Sequence, residues 1–261
     1  MAAGWIGLLH PGEMGAAVGA VLTTRAQRVV WASTGRSDET RGRAEAAGLQ
    51  DVVTARKVAG ADVVFSICPP HAALETARSV AGFKGLFVDA NAVAPATARE
   101  VAAVIEAGGG RFVDGGIVGP PPREPGTTRL YLSGLDAGAV AELFADSAVD
   151  ARPFSAEIGA ASALKMTYAA WTKGTAALVL AIRELARSEG VETALLREWE
   201  QSLPGLADRS QEASRSADVK GWRWIGEMEE IAATFSAAGL PSGFHEAAAE
   251  VFRGRSTAAA H

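Results

Sequence analysis

Gly7-Leu8-Leu9-His10-Pro11-Gly12-Glu13-Met14-Gly15 follows the apolar start Gly4-Trp5-Ile6 and leads into the small-residue run Ala16-Ala17-Val18-Gly19-Ala20-Val21-Leu22. The pattern reads as a buried strand, a glycine turn and the opening of a helix. Such a turn lets backbone approach a phosphorylated ligand closely, and the helix N-terminus offers N–H groups and a partial positive charge. The usual dinucleotide spacing is G-x-G-x-x-G. Here His10 occupies the first glycine position, while Gly12 and Gly15 keep the second and third. Because the motif starts a run of alternating strand and helix patterns, it reads as a dinucleotide site rather than a plain strand–turn–helix.

Arg28-Val29-Val30-Trp31-Ala32 reads as a second buried strand, ending in Ser33-Thr34-Gly35-Arg36-Ser37. In a dinucleotide fold this strand end, about 20 residues past the glycine turn, meets the adenosine ribose. An NAD site would place Asp or Glu there; this chain supplies hydroxyls and Arg36, with Asp38 arriving later. A guanidinium suits a 2′-phosphate through charge and paired donors, so NADP(H) is the expected cofactor. A helix is expected over 38–48. Strands are expected at 61–67, 86–91 and 111–114, then a stiff loop over Gly115 to Pro122 and a strand at 128–134. Helices are expected at 92–107 and about 136–146. Cys68-Pro69-Pro70 turns the chain out at the carboxyl end of the sheet. The alternation predicts an α/β fold, a Rossmann-type doubly wound and mostly parallel sheet.

From Gly159 onward no strand pattern remains. One long helix is expected over 160–188, with others near 192–202, 206–216, 223–238 and 243–254, separated at Pro204-Gly205, Gly221 and Gly239-Leu240-Pro241. The expected organisation is a dinucleotide-binding domain over 1–155 and an all-helical substrate and dimerisation domain over 156–261. Apolar residues make up 48% of the 261 and charged residues 21%, an ordinary globular balance. A net charge of −5 argues against a broad nucleic-acid surface. The lone Cys68 excludes an intramolecular disulfide and a cysteine-cluster metal site, and no His/Asp/Glu spacing points to a metal. No charged n-region precedes the apolar start and no uninterrupted apolar run reaches membrane-spanning length, so a cytoplasmic location is expected.

Lys165 is the leading candidate for chemistry. It sits early in the long helix, after small residues that permit close approach of other backbone. Flanking Ala, Leu and Met can partly desolvate it, which lowers a lysine pKa toward the range of useful proton transfer. Tyr168, at i+3, shares its face. His245, near the start of the last helix, is a second candidate for reaching a site, while Trp222 and Trp224 are expected to pack.

These motifs resemble those of the β-hydroxyacid dehydrogenases and the related 6-phosphogluconate dehydrogenases. The glycine stretch stands where that superfamily has G-F-I-G-L-G-x-M-G. Cys68-Pro69 is similar to its L-P turn, Asp89-Ala90-Asn91-Ala92-Val93-Ala94-Pro95 to its D-x-S/N-T-x-S-P stretch, and Asp114-Gly115-Gly116-Ile117-Val118-Gly119 to its D-A-P-V-S-G segment. Gly159 through Gly174 resembles its catalytic-lysine helix, with Lys165 at the lysine. The resemblance implies that Gly12, Glu13, Met14 and Gly15 hold the pyrophosphate, with His10 and Pro11 touching the cofactor from the same turn, and that Ser33, Arg36 and Ser37 hold the adenosine end. Cys68, Pro69 and Asn91 would then lie along the nicotinamide side. It further implies a catalytic set of Lys165, Tyr168 and Asn91 acting on a small polar hydroxy or oxo substrate, and a homodimer through the helical domain.

Two departures stand out. The family serine is Val118, and the asparagine four residues after the lysine is Ala169. An imine reductase and a non-catalytic NADPH-binding protein are the alternatives; a methyltransferase fits poorly because the adenosine-end acid is absent. The retained Lys165 favours an oxygen substrate.

Overall fold

The computed structural model describes residues 4–26 and 28–258. The chain divides into two compact units, residues 1–165 and 166–261.

The first unit is built on an eight-stranded sheet in the order β3-β2-β1-β4-β5-β6-β7-β8. Strands β1 (Trp5–Leu9), β2 (Arg28–Trp31), β3 (Gln50–Asp51), β4 (Val63–Ser66), β5 (Leu86–Asp89) and β6 (Arg111–Val118) pair in parallel. Strand β7 (Thr128–Ser133) lies antiparallel to β6, and β8 (Val149–Ser155) parallel to β7. Helices α1 (Glu13–Leu22), α2 (Asp38–Ala46), α3 (Ala55–Val58), α4 (Ala73–Arg78), α5 (Pro95–Ala107) and α6 (Ala137–Glu142) connect them.

Strands β4 and β5 are buried at every position and apolar up to their last residues, Ser66 and Asp89, because both faces of the sheet are covered. Val63, Phe65, Leu86 and Val88 enter one core with Val18 and Leu22 of α1. Their neighbours Val64 and Phe87 enter the other, with Ala77 of α4 and Val101 and Ile105 of α5. The strand order reverses between β1 and β4, which makes the carboxyl ends of these two strands the switch point of the sheet.

Three features depart from the sequence expectation. Strand β6 does not stop at Asp114: Gly115 to Val118 continue it, because β7 supplies ladder partners from Leu132 to Arg129. The short β3 and the edge strand β8 carry too little apolar patterning to be read locally. In the second unit, the expected break at Gly221 does not occur.

That unit is helical. Helix α7 (Ala160–Ser188) begins in the first unit and is followed by α8 (Glu192–Ser202), α9 (Leu206–Ala237) and α10 (Gly243–Ala258). Gly221 lies buried inside α9; the modest helix penalty of one glycine is outweighed by tertiary packing. Gly190 and Gly239, both at positive φ, end α7 and α9 in left-handed turns. Arg183 ties three helices together, at 2.6 Å from Glu192 Oε1 and 3.2 Å from Ser210 Oγ. Trp224 packs edge-on against Phe252 of α10, whereas Trp222 is mostly exposed. None of the described helices is long and apolar enough to cross a membrane.

Candidate functional site

The strand registers align Leu9 with Ser66, Ser66 with Asp89 and Asp89 with Asp114. Just past this row the chain leaves the sheet at His10, Ile67-Cys68 and Ala90-Asn91, while β6 runs on through Gly115-Gly116. The ends of β1, β4 and β5, with the predicted residues His10, Cys68 and Asn91, and the continuation of β6 therefore meet along one edge.

The glycine turn is held by its own backbone. His10 has φ +67°, and its carbonyl accepts a hydrogen bond from Gly12 N at 2.8 Å. A β-carbon on Gly15 would stand 2.5 Å from that carbonyl oxygen, so α1 can close on the turn only without a side chain there. A β-carbon on Gly12 would meet nothing within 4 Å, so the second glycine faces open space. Met14 packs toward the core and Pro11 is buried, while Glu13 is exposed in the first turn of α1. The turn thus offers backbone to a ligand. His10 adds one side-chain group, an Nδ1 buried without a hydrogen-bond partner. Burial, and secondarily the Arg36 charge, push its pKa down to about 4, so the imidazole is neutral at pH 7.

At the end of β2, Ser33 is buried and Arg36 half-buried. Burial lowers Arg36 from its ordinary value, and Cys68 acts in the opposite sense. Ser37 is the N-cap of α2, accepting from Thr40 N at 3.3 Å. Two residues at this corner had no clear signal in the sequence. Arg41 Nη2 donates to the Ser33 carbonyl at 3.0 Å, which brings a second guanidinium to the strand end. Asp51 accepts from Ser33 N at 3.2 Å and Val53 N at 2.7 Å. Against the upward push of desolvation, bonds from Ser33 and Val53 and the charge of Arg41 hold its carboxyl below the usual range. An acid is present at this corner, but it comes from β3 and braces β2.

Asn91 braces the middle of the edge. Its Oδ1 accepts from Cys68 N at 2.5 Å; its Nδ2 donates to Ser66 Oγ at 3.1 Å and to Asp89 Oδ1. Both amide hydrogens are committed and the residue is buried. Burial, with the Asp89 charge second, raises the Cys68 thiol to about 11, which makes it packing rather than a nucleophile. Pro69 N-caps the short 3-10 turn over Pro70–Ala72.

Two carboxyls sit side by side beneath this edge. Asp89 is fully buried, and desolvation, with the neighbouring Asp114 charge second, raises its pKa to about 8. It carries a proton at pH 7. Asp114 collects donors: Ser133 Oγ at 3.0 Å, Gly159 N at 3.0 Å, Ser162 N at 2.9 Å and Ser162 Oγ at 2.7 Å. Ser133 Oγ in turn accepts from Ala161 N at 3.0 Å. The first turn of α7 is thereby capped by β6 and β7. The available signal was a repeated Phe-Val-Asp at two strand ends.

Gly115 and Gly116 make the fit possible. A β-carbon on Gly115 would stand 3.1 Å from the Asp89 carbonyl oxygen. One on Gly116 would stand 2.8 Å from the Ala161 carbonyl oxygen and 3.0 Å from Lys165 Cβ. The stem of Lys165 therefore rests on the bare backbone of β6. Tyr168, about half exposed, lies one turn further along α7. Val118 and Ala169, the two departures, are both buried apolar residues. Lys173 is paired with Glu227 at 2.6 Å, both largely buried. Among the described residues no cluster of His, Cys, Asp or Glu can hold a metal ion.

A doubly wound sheet with a glycine turn at its switch point, continued into a helical unit through a lysine-bearing helix, defines a two-domain dinucleotide-fold protein. A family model described as a domain of unknown function (DUF1932) matches residues 186–254. A protein of Methanothermus fervidus, named only as an uncharacterised 28.5 kDa protein in the 7S RNA 5′ region, is 29% identical over 170 residues. That match spans 64% of this chain and 65% of the relative. Among solved structures, the conserved protein MTH1747 of unknown function, described as similar in structure to 3-hydroxyacid dehydrogenases, is 28% identical with a TM-score of 0.70, covering 97% of each chain. The 3-hydroxyisobutyrate dehydrogenase of Salmonella typhimurium gives a TM-score of 0.72 at 18% identity, covering 98% of this chain and 95% of that one. A reductive aminase of Aspergillus terreus, in complex with NADPH and ethyl levulinate, gives 0.58 at 20% identity, covering 96% and 93%. In fold and order of parts, a mostly parallel eight-stranded sheet followed by a helical unit, the chain is similar to these proteins.

Proposed function

We propose that this protein is an NADP-dependent oxidoreductase acting on a small polar hydroxy or oxo compound, with Lys165 as general acid and base. The observation that carries the reading is the seating of Lys165 on Gly116, on the strand edge that also holds the glycine turn. The open face at Gly12, the close approach at Gly15 and the orphaned His10 Nδ1 fit a dinucleotide. Backbone from His10 to Gly15 would hold the pyrophosphate. Ser33, Ser37 and Arg36, with Arg41 beside them, would hold the adenosine end, and Cys68, Pro69 and Asn91 would border the nicotinamide.

When bound, NADP(H) supplies or accepts the hydride. Lys165 handles the accompanying proton: its ammonium gives one to the substrate oxygen during reduction, and its amine takes one from the hydroxyl during oxidation. Asn91 serves as a positioning residue, since its amide hydrogens are spent on Ser66 and Asp89. Tyr168 is the second acid/base candidate. Val118 and Ala169, where the resembled family carries serine and asparagine, are buried and apolar; this argues against ordinary 3-hydroxy acids and keeps imines among the compounds to test.

The reading includes a homodimer formed through the helical unit. Trp171, Leu178, Ile182 and Leu185 are exposed along α7 at helical spacing, and an apolar stripe of that extent marks an association surface. The cofactor reading is tested by fluorescence titration of the intact protein with NADPH and NADH. Sedimentation at micromolar concentration tests the dimer: a monomer would remove it.

A further inference from the structure

Asp114, Gly116 and Val118 alternate onto one face of β6. The start of α7 covers that face: Ser162 Oγ bonds Asp114 Oδ1, and a β-carbon at Gly116 would meet the Ala161 carbonyl and Lys165 Cβ. In the antiparallel ladder, Ser133 stands opposite Asp114, Tyr131 opposite Gly116 and Arg129 opposite Val118. Opposed residues share a face, with β-carbons about 5 Å apart. The 3.0 Å bond from Ser133 Oγ to Asp114 Oδ2 shows this pairing directly. Arg129 therefore lies on the Lys165 side of the sheet, beside the valine that stands where the resembled family carries serine.

The charges on this face are not balanced. On β8 the register partner of Arg129 is an acid, Asp150. That acid is taken by Arg152, whose Nε lies 2.9 Å from Asp150 Oδ2 and whose Nη1 also reaches Tyr131 Oη at 3.3 Å. Arg129 is half-buried, and among the described residues its guanidinium makes no ion pair. Its Nη1 donates one long bond, 3.4 Å, to the Thr127 carbonyl. A half-buried guanidinium with most of its donors unspent is stabilised by an anion.

We propose that Arg129 sets the substrate class, binding the carboxylate of an oxo or hydroxy acid whose reacting carbon is served by Lys165. The inference rests on the oxidoreductase reading and names the substrate for it. A planar guanidinium takes a carboxylate through two parallel bonds. Val118 offers no hydroxyl, so the charged fork one strand over is the group on this face that can hold the acid. Two residues of strand span about 6.8 Å, which sets the carboxylate well down the face from Gly116. That spacing favours a 4-oxo or 5-oxo acid over a 3-oxo acid.

The test compares 4-oxopentanoate and 5-oxohexanoate with their methyl esters, which keep the ketone and lose the charge. With NADPH, the intact wild type should reduce an acid with kcat/KM about tenfold to hundredfold above its ester. Arg129→Gln should bring that ratio near one, chiefly through KM, and Arg129→Lys should restore part of it. Calorimetric titration of the same acids reads the site without turnover, and wild type should bind about tenfold or more tightly than folded Arg129→Gln. Such binding without reduction would support Arg129 as the anion site and remove the redox reading. Reduction with no preference for the acid, a preference kept in folded Arg129→Gln, or no binding of either acid by wild type at millimolar concentration overturns the proposal.

Discussion

Ser162 Oγ donates a 2.7 Å hydrogen bond to Asp114 Oδ1, fastening the helix that carries Lys165 to the strand on which Lys165 rests. Three further donors converge on Asp114 Oδ2. Asp114→Asn would turn an N–H toward one of these donor sets. It should destabilise the protein by about 2–3 kcal/mol, while Ser162→Ala should cost about 1 kcal/mol. Urea denaturation at pH 7 measures both. Equal, small losses would show that the carboxylate is not what anchors α7.

The raised pKa of Asp89 gives a pH-dependent prediction. Between its ordinary 3.8 and about 8, the native state holds a proton that the unfolded chain has released. Stability therefore falls as pH rises through that window, and levels off above pH 8. Asp89→Asn keeps an oxygen for Asn91 and never ionises. Its advantage over wild type should widen from pH 5 to pH 8 and then stay constant. A gap independent of pH in urea midpoints would refute the assignment.

His10 carries two costs in one residue: a left-handed backbone at φ +67° and a buried neutral imidazole. Between pH 4 and 6.5 the unfolded chain binds a proton there that the native state does not, so wild type loses stability as pH falls through that window. His10→Gly should be more stable by about 1 kcal/mol from the backbone alone, by more at pH 5 than at pH 7. If His10 contributes to the proposed pyrophosphate site, cofactor affinity should drop as well. Higher stability with unchanged affinity would leave His10 without a role in binding.

Arg36→Ala should weaken NADPH by about 1.5–3 kcal/mol, the worth of hydrogen bonds to a charged group, and leave NADH nearly unaffected. Arg41→Ala should act in the same direction and also loosen the end of β2, since it gives up the bond to the Ser33 carbonyl. Equal losses for both cofactors with Arg36→Ala would show that Arg36 does not read the 2′-phosphate.

Local pattern carried the sheet core and the two-part organisation. Continuous apolar runs such as Val63–Ser66 announce strands covered on both faces, and the glycine turn announces the switch point. The limits of α7 and α8, residues 160–188 and 192–202, were also legible, because Gly190 and the apolar period mark them. What was hidden depends on pairing across the chain. Strand β6 extends through Gly115-Gly116 only because β7 lies beside it, and α9 passes Gly221 only because its neighbours hold it. In the candidate site, Arg36 and Lys165 were legible as residue types at telling positions. Asp51, Arg41 and the cap formed by Asp114, Ser133 and Ser162 did not, since each acts on backbone far away in sequence.

The central claim is that Lys165 moves the proton that accompanies hydride transfer. The direct measurement is NADPH oxidation by wild type and Lys165→Met over a panel of 3-oxo acids, ketones, aldehydes and cyclic imines, with folding and NADPH binding checked for both. The account predicts turnover of an oxo compound by wild type, a loss of roughly 10²- to 10⁴-fold in the variant, and unchanged NADPH affinity. A methionine variant that turns over the same substrate at the wild-type rate, with the wild-type pH profile, would contradict it and move the role to Tyr168.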